Sequence, residues 1–169
     1  MSKAFTKESD LPEAPLRPRP AVLLPPGAKN YLTAGGAHQL QRELDHLLST
    51  ERPRLAAVSE DEEAKPRLQA IDQRIQHLQQ TLHTAVVVAP STSADGTVRF
   101  GATVTVREPS GVFSTYRIVG IDETDLDRNW VSWLSPIAKA LLNARVGDRV
   151  RFKFPSGEEE LEIVSVAYE

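Results

Sequence analysis

Residues 68–89 read LQAIDQRIQHLQQTLHTAVVVA, and the change of rhythm inside them decides the fold. Leu68, Ile71, Ile75, Leu78 and Leu82 step by 3, 4, 3 and 4, the alternating a and d spacing of a helix that buries one seam against another helix. From Ala85 onward the period changes to 2, which places alternate side chains on one face of a strand. The stretch therefore predicts a helix ending near residue 84 and a sheet domain beginning at 85, together an α+β chain.

The seam needs a partner, and the residues before it supply one. Thr33 offers a helix N-cap, and Leu40, Leu44, Leu47, Leu55 and Val58 recur at steps of 3, 4 or 8, which predicts one helix over 34–57. Gly35 and Gly36 weaken its first turn, and Pro53 removes the donor to residue 49, so a bend is expected there. Between the two stripes, Ser59-Glu60-Asp61-Glu62-Glu63-Ala64-Lys65-Pro66 has no core-type residue and turns the chain back, so residues 31–84 are expected to form an antiparallel coiled-coil hairpin. Ser59 with Glu62 matches a capping box, and Pro66 suits the first turn of the second helix. On residue type alone the four acids Glu60, Asp61, Glu62 and Glu63 read as a solvated turn at the positive end of a helix dipole. Arg52, Arg54, Lys65, Arg67 and Arg74 flank the seam with acids interleaved, the pattern of solvated helix charge rather than a surface for free RNA.

On the other side of Ala85, five segments rich in Val, Ile, Thr, Phe and Tyr predict an antiparallel sheet: 97–106, 112–121, 129–134, 149–154 and 160–168. Asp95-Gly96, Pro109-Ser110-Gly111 and Pro155-Ser156-Gly157 punctuate them as turns. One short apolar helix over 136–143, capped by Ser135, is expected to cover a face of this sheet. Residues 1–30 hold six of the 12 prolines and predict a flexible, Pro-rich tail.

Composition narrows the function classes. The 169 residues carry 20 Lys plus Arg against 23 Asp plus Glu, a net charge of -3 that gives no global field for wrapping nucleic acid. Without cysteine there is no disulfide scaffold, thiolate metal site or thiol nucleophile. No apolar run approaches the roughly 20 residues of a bilayer span, and prolines interrupt the amino terminus where a secretory core would lie, so a cytoplasmic protein with no membrane partner is expected. His38, His46, His77 and His83 lack metal-ligand spacing, and no phosphate-cradling or nucleophile-elbow motif is present. An auxiliary factor is expected, with no metal or cofactor of its own, rather than an enzyme.

Several blocks in the carboxyl half keep a family's order and spacing: residues 100–106 (Phe-Gly-Ala-Thr-Val-Thr-Val), residues 116–120 (Tyr-Arg-Ile-Val-Gly), Asp122-Glu123, residues 135–141 (Ser-Pro-Ile-Ala-Lys-Ala-Leu), Val146-Gly147-Asp148, residues 155–158 and residues 163–168. With Leu32-Thr33, Leu40, Glu43-Leu44 and Arg52-Pro53, they make residues 31–169 resemble the bacterial Gre transcript-cleavage factors. The resemblance implies an antiparallel coiled coil followed by an FKBP-like domain over 85–169. It implies RNA polymerase as partner, with Leu134, Ser135, Pro136 and Ile137 docking on the rim of the secondary channel and the hairpin entering it. Glu60, Asp61, Glu62 and Glu63 become the candidate tip acids, acting on Mg²⁺ held in the polymerase active site. Nascent RNA and DNA would be met only within the polymerase complex, and a monomer is expected. Two departures stand out: Ser59 occupies the place of the family's tip Asp, and the arms are shorter by about 6 residues each, or about 9 Å of reach at 1.5 Å per residue. The alternative is a non-cleaving channel regulator resembling the regulator of nucleoside diphosphate kinase.

Overall fold

The computed structural model describes residues 24–58 and 60–169; the expected tail therefore lies largely outside the described residues, as does Ser59. At its inner end, Pro25-Pro26-Gly27-Ala28 closes a turn through Ala28 N–H to the Pro25 carbonyl (3.0 Å), with Gly27 at φ +81° supplying the left-handed third position.

Strand β1 (Asn30–Thr33) leads into helix α1 (Ala34–His46), a π-helical turn (Leu47–Glu51) and helix α2 (Arg52–Ala56). Helix α3 (Ala64–Thr84) runs back and ends in strand β2 (Ala85–Val88). Leu40 and Leu44 of α1 pack with Ile75 and Leu78 of α3 and with Leu32 of β1, and Leu32 and Leu78 are fully buried. Burial of such side chains, at about 1.5–3 kcal/mol each, holds the arms together. The bidentate Arg74–Glu43 pair (2.7 and 2.9 Å) and the Arg52–Asp72 pair (2.7 Å) span them on the exposed side and contribute far less.

The first arm differs from the single bent helix expected over 34–57. Pro53 has no N–H for the Ser49 carbonyl, and the chain answers with a widened turn in which Arg52 N–H bonds to the Leu47 carbonyl. That turn absorbs one extra residue, so Leu47 and Leu55 both stay on the seam side although 8 residues apart, and Leu48 is left exposed. At the far end, α3 begins at Ala64, not directly after Ser59, and it has no side-chain cap. Ala64 is itself buried, against the expectation of a turn without core residues.

β1 and β2 form a two-stranded sheet that the sequence reading did not contain. They pair in parallel from Asn30↔Ala85 to Thr33↔Val88, and the whole hairpin is the crossover that a parallel pair requires.

The second sheet contains β3 (Thr103–Arg107), β4 (Phe113–Val119), β5 (Trp130–Ser132), β6 (Arg149–Phe154) and β7 (Gly157–Ala167) in the order β5-β4-β3-β7-β6. The pairs β3–β4, β3–β7 and β6–β7 are antiparallel as expected. β4–β5 is a correction: it is parallel, Arg117↔Trp130 to Val119↔Ser132, because the chain crosses through a 3₁₀ turn (Ile121–Glu123) before re-entering the sheet at the edge. The first expected strand is also shorter. Gly101 at φ +84° breaks extension, and Gly101 N–H bonds to the Ile118 carbonyl, so residues 97–102 lead in as turns. Val104, Val106, Ile118, Leu161 and Ile163 fill the core, with Ala138 and Leu141 of helix α4 (Pro136–Leu141) laid over it. Ser135 caps α4 through Ala138 N–H (3.3 Å).

Candidate functional site

The four tip acids are all exposed, yet they do different things. Asp61 builds the turn: its N–H bonds to the Val58 carbonyl (3.0 Å), its carbonyl accepts from Ala64 N–H (3.0 Å), and its Oδ1 accepts from Glu63 N–H (3.1 Å). Glu62 accepts from the Lys65 ammonium (3.0 Å). The carboxylates of Glu60 and Glu63 have no partner among the described residues. Asp61 Oδ2 and Glu62 Oε2 are likewise unengaged among the described residues, and carboxylate oxygens are the donor type that a hard cation takes. Among the described residues, no group of three or more His, Asp or Glu side chains is placed to hold a metal ion. Of the flanking bases, Arg52, Lys65 and Arg74 are engaged by Asp72, Glu62 and Glu43, while Arg54 and Arg67 rim an open apolar groove between α2 and α3.

Leu134, Ser135, Pro136 and Ile137 occupy the step from β5 into α4. Ser135 Oγ is committed to its cap, and Ser135 N–H closes a turn on the Ser132 carbonyl (2.9 Å). Ile137 packs partly against the sheet core, Leu134 is half-buried, and Pro136 is exposed at the first position of α4. The segment thus presents a rigid Pro flanked by apolar groups on a fixed turn. No hydrogen bond or ion pair joins it to the tip among the described residues.

Sequence reasoning missed the joint between the two parts. Glu123, 9% exposed, accepts at Oε2 from Thr33 N–H (3.0 Å) and Gly120 N–H (2.9 Å), and at Oε1 from the Thr33 hydroxyl. Thr33 Oγ1 in turn accepts from Gly36 N–H (3.0 Å), the expected cap. A buried carboxylate at the amino end of a helix is favoured by the helix dipole and by charge-assisted bonds. Beside it, Asp122 meets His77 (2.9 Å) and Thr81 (3.5 Å) on α3. The signal was present in Gly36 and Gly120, where an added Cβ would lie 1.8 Å from Glu123 Oε1 and 2.1 Å from the Tyr31 carbonyl. Both glycines are explained by close approach, which a single sequence does not reveal.

A family model described as "Transcription elongation factor, GreA/GreB, C-term" matches residues 93–168. The chain is 42% identical over 154 residues to transcription elongation factor GreB of Neisseria meningitidis, covering 83% of this chain and 94% of that protein. It is 42% identical over 156 residues to transcription elongation factor GreA of Alkalilimnicola ehrlichii, covering 83% and 99%. A solved GreA/GreB factor from Nitrosomonas europaea matches at 23% identity with a TM-score of 0.42, covering 83% and 99%. The 154 positions aligned to the Neisseria protein draw on 83% of 169 residues, about 140, so about 14 of them are positions where this chain has no residue. An alignment covering 83% of this chain extends beyond the sheet into the helical arms, and the chain belongs to the GreA/GreB family of transcription elongation factors.

Proposed function

We propose that the chain binds bacterial RNA polymerase at its secondary channel and modulates elongation there as a monomer in the cytoplasm. In this reading the FKBP-like domain of residues 85–169 docks on the channel rim, and the antiparallel coiled coil of residues 31–84 enters the channel. The observation that carries the reading is the 42% identity to a GreB over 94% of that protein's length.

The docking segment is Leu134–Ile137. Its backbone is set by the Ser135 cap, so little ordering entropy is lost on binding, and the exposed Pro136 supplies a stiff apolar contact. At the other end, Glu60 and Glu63 offer carboxylate oxygens, while Asp61 holds the turn and Glu62 is drawn to Lys65. Mg²⁺ in the polymerase active site would supply the Lewis acidity for cleaving backtracked RNA. The tip contributes only negative charge and oxygen donors at a place chosen by the length of the arms. With the shorter arms expected from the sequence, and Ser59 in place of an acid, the tip stimulates cleavage more weakly than a complete one.

Binding of the full chain to core polymerase tests the docking half. Replacing Leu134 and Pro136 by Ala should weaken it about tenfold, or about 1.4 kcal/mol. A wild-type chain that does not bind, or a double variant that binds equally well, overturns the assignment.

A further inference from the structure

We propose that Glu123 is a positioning residue that fixes the direction in which the hairpin leaves the sheet domain. Its turn, Ile121–Glu123, lies in the chain between β4 and β5 and belongs to the sheet side, yet both of its acids reach the hairpin. Asp122 takes hold of α3 through His77 (2.9 Å) and Thr81 (3.5 Å). Glu123 takes hold of the start of α1 through the Thr33 hydroxyl and N–H. One attachment would leave a hinge; two, on different arms, fix a direction.

The two attachments are not equal. His77 is about half exposed, so water can replace its bond to Asp122. Glu123 is buried, and its Oε2 accepts from Thr33 on the hairpin and from Gly120 on the sheet side at once. The same carboxylate oxygen therefore bridges the two units. Around it, Gly36 and Gly120 have no side chain at the two places where a Cβ would force the joint open. Tyr31, two residues before Thr33 on the same strand, meets Trp133 edge-on (5.1 Å) and adds an apolar contact between the two units.

The consequence is mechanical. α3 has 21 residues and is about 30 Å long, so a swing of about 10° at its base carries the far end about 5 Å sideways. An acid on a probe of that length is aimed by its base. The inference rests on the proposed function only for what the aim serves, since the joint is a property of this chain alone.

The absence of cysteine allows two unique labels on the full chain, Arg54→Cys on α2 and Ser156→Cys at the β6–β7 turn, read by pulsed dipolar spectroscopy between spin labels. With Glu123 intact a single narrow distance distribution is expected. Glu123→Ala should widen it about twofold or shift its mean, with the helical circular dichroism signal retained. Glu123→Gln should restore the narrow distribution, because its amide oxygen accepts from Thr33 and Gly120 N–H while its NH₂ donates to Thr33 Oγ1. If the Ala variant loses its helical signal, Thr33→Val, which removes the hydroxyl and spares the carboxylate, must widen the distribution instead. An unchanged distribution in a folded Ala variant, equal widening in the Gln variant, or no widening in Thr33→Val overturns the proposal. No polymerase is present in this experiment, so a chain that fails to bind polymerase yet shows the widening loses the functional reading and keeps this one.

Discussion

Carboxylates sit at both ends of the helical hairpin, and the two ends treat the same group in opposite ways. At the base, Glu123 is buried and its two oxygens accept three bonds, two from backbone N–H groups. At the tip, Glu60 and Glu63 are exposed and unpaired among the described residues. The same functional group is thus spent on architecture at one end and left available at the other. Burial with full satisfaction stabilises a joint, whereas exposure without partners leaves an acid free for an external ligand at little cost to folding.

This contrast is broken most severely at the base. Leu78→Ala removes a fully buried side chain from the cluster that joins the arms to β1 and should cost about 2–5 kcal/mol in denaturant unfolding. Gly120→Ala forces a Cβ toward the Tyr31 carbonyl and should cost about 1–3 kcal/mol, read the same way. A neutral result for either would mean that the joint is looser than its packing. Replacing Glu60, Asp61, Glu62 and Glu63 by Ala together should change stability by less than about 1 kcal/mol, because only dipole, turn and surface-pair terms are lost.

Asp95 combines the two cases, exposed like the tip and partnered like the base. Hydrogen bonds from the Arg99 guanidinium, and then from Thr97 N–H, hold its carboxyl down at about 2. The folded value lies below the ordinary one of 3.8, so the contribution is present above that pH and is lost as the pH falls toward about 2. The effect is small, and a carboxyl NMR titration should show a midpoint near about 2 that rises toward the ordinary value in Arg99→Met. An unmoved midpoint would show that partners do not govern this acid.

The helical half was legible where periodicity speaks. The 3, 4, 3, 4 seam located α3, and the step of 8 from Leu47 to Leu55 already held the extra residue that the π-helical turn absorbs. Its cause, a proline that leaves a carbonyl without its donor, is local and readable; the choice of a widened turn over a kink is made by packing. In the sheet half, β6 was placed within its observed bounds because Arg149–Phe154 alternates cleanly, whereas the parallel β4–β5 pair was not foreseen because register between distant segments leaves no mark on spacing. The β1–β2 pair was hidden for the same reason, with paired residues such as Asn30 and Ala85 lying 55 apart in sequence and strands only four residues long. Among the candidate residues, the exposed acids were visible as a charge run. Glu123 was visible only as part of a family block, because what distinguishes a buried acid from an exposed one is its neighbours.

If docking and action reside at different ends of the molecule, stalled polymerase complexes separate the two. The full chain and its Glu60–Glu63 alanine variant are added to backtracked complexes, and polymerase binding and RNA shortening are scored separately. Both proteins should bind alike, and only the wild type should shorten the RNA. Equal shortening by the variant would contradict the role of the tip, loss of binding would contradict the separation of the two ends, and no shortening by the wild type would leave a channel regulator in place of a cleavage factor.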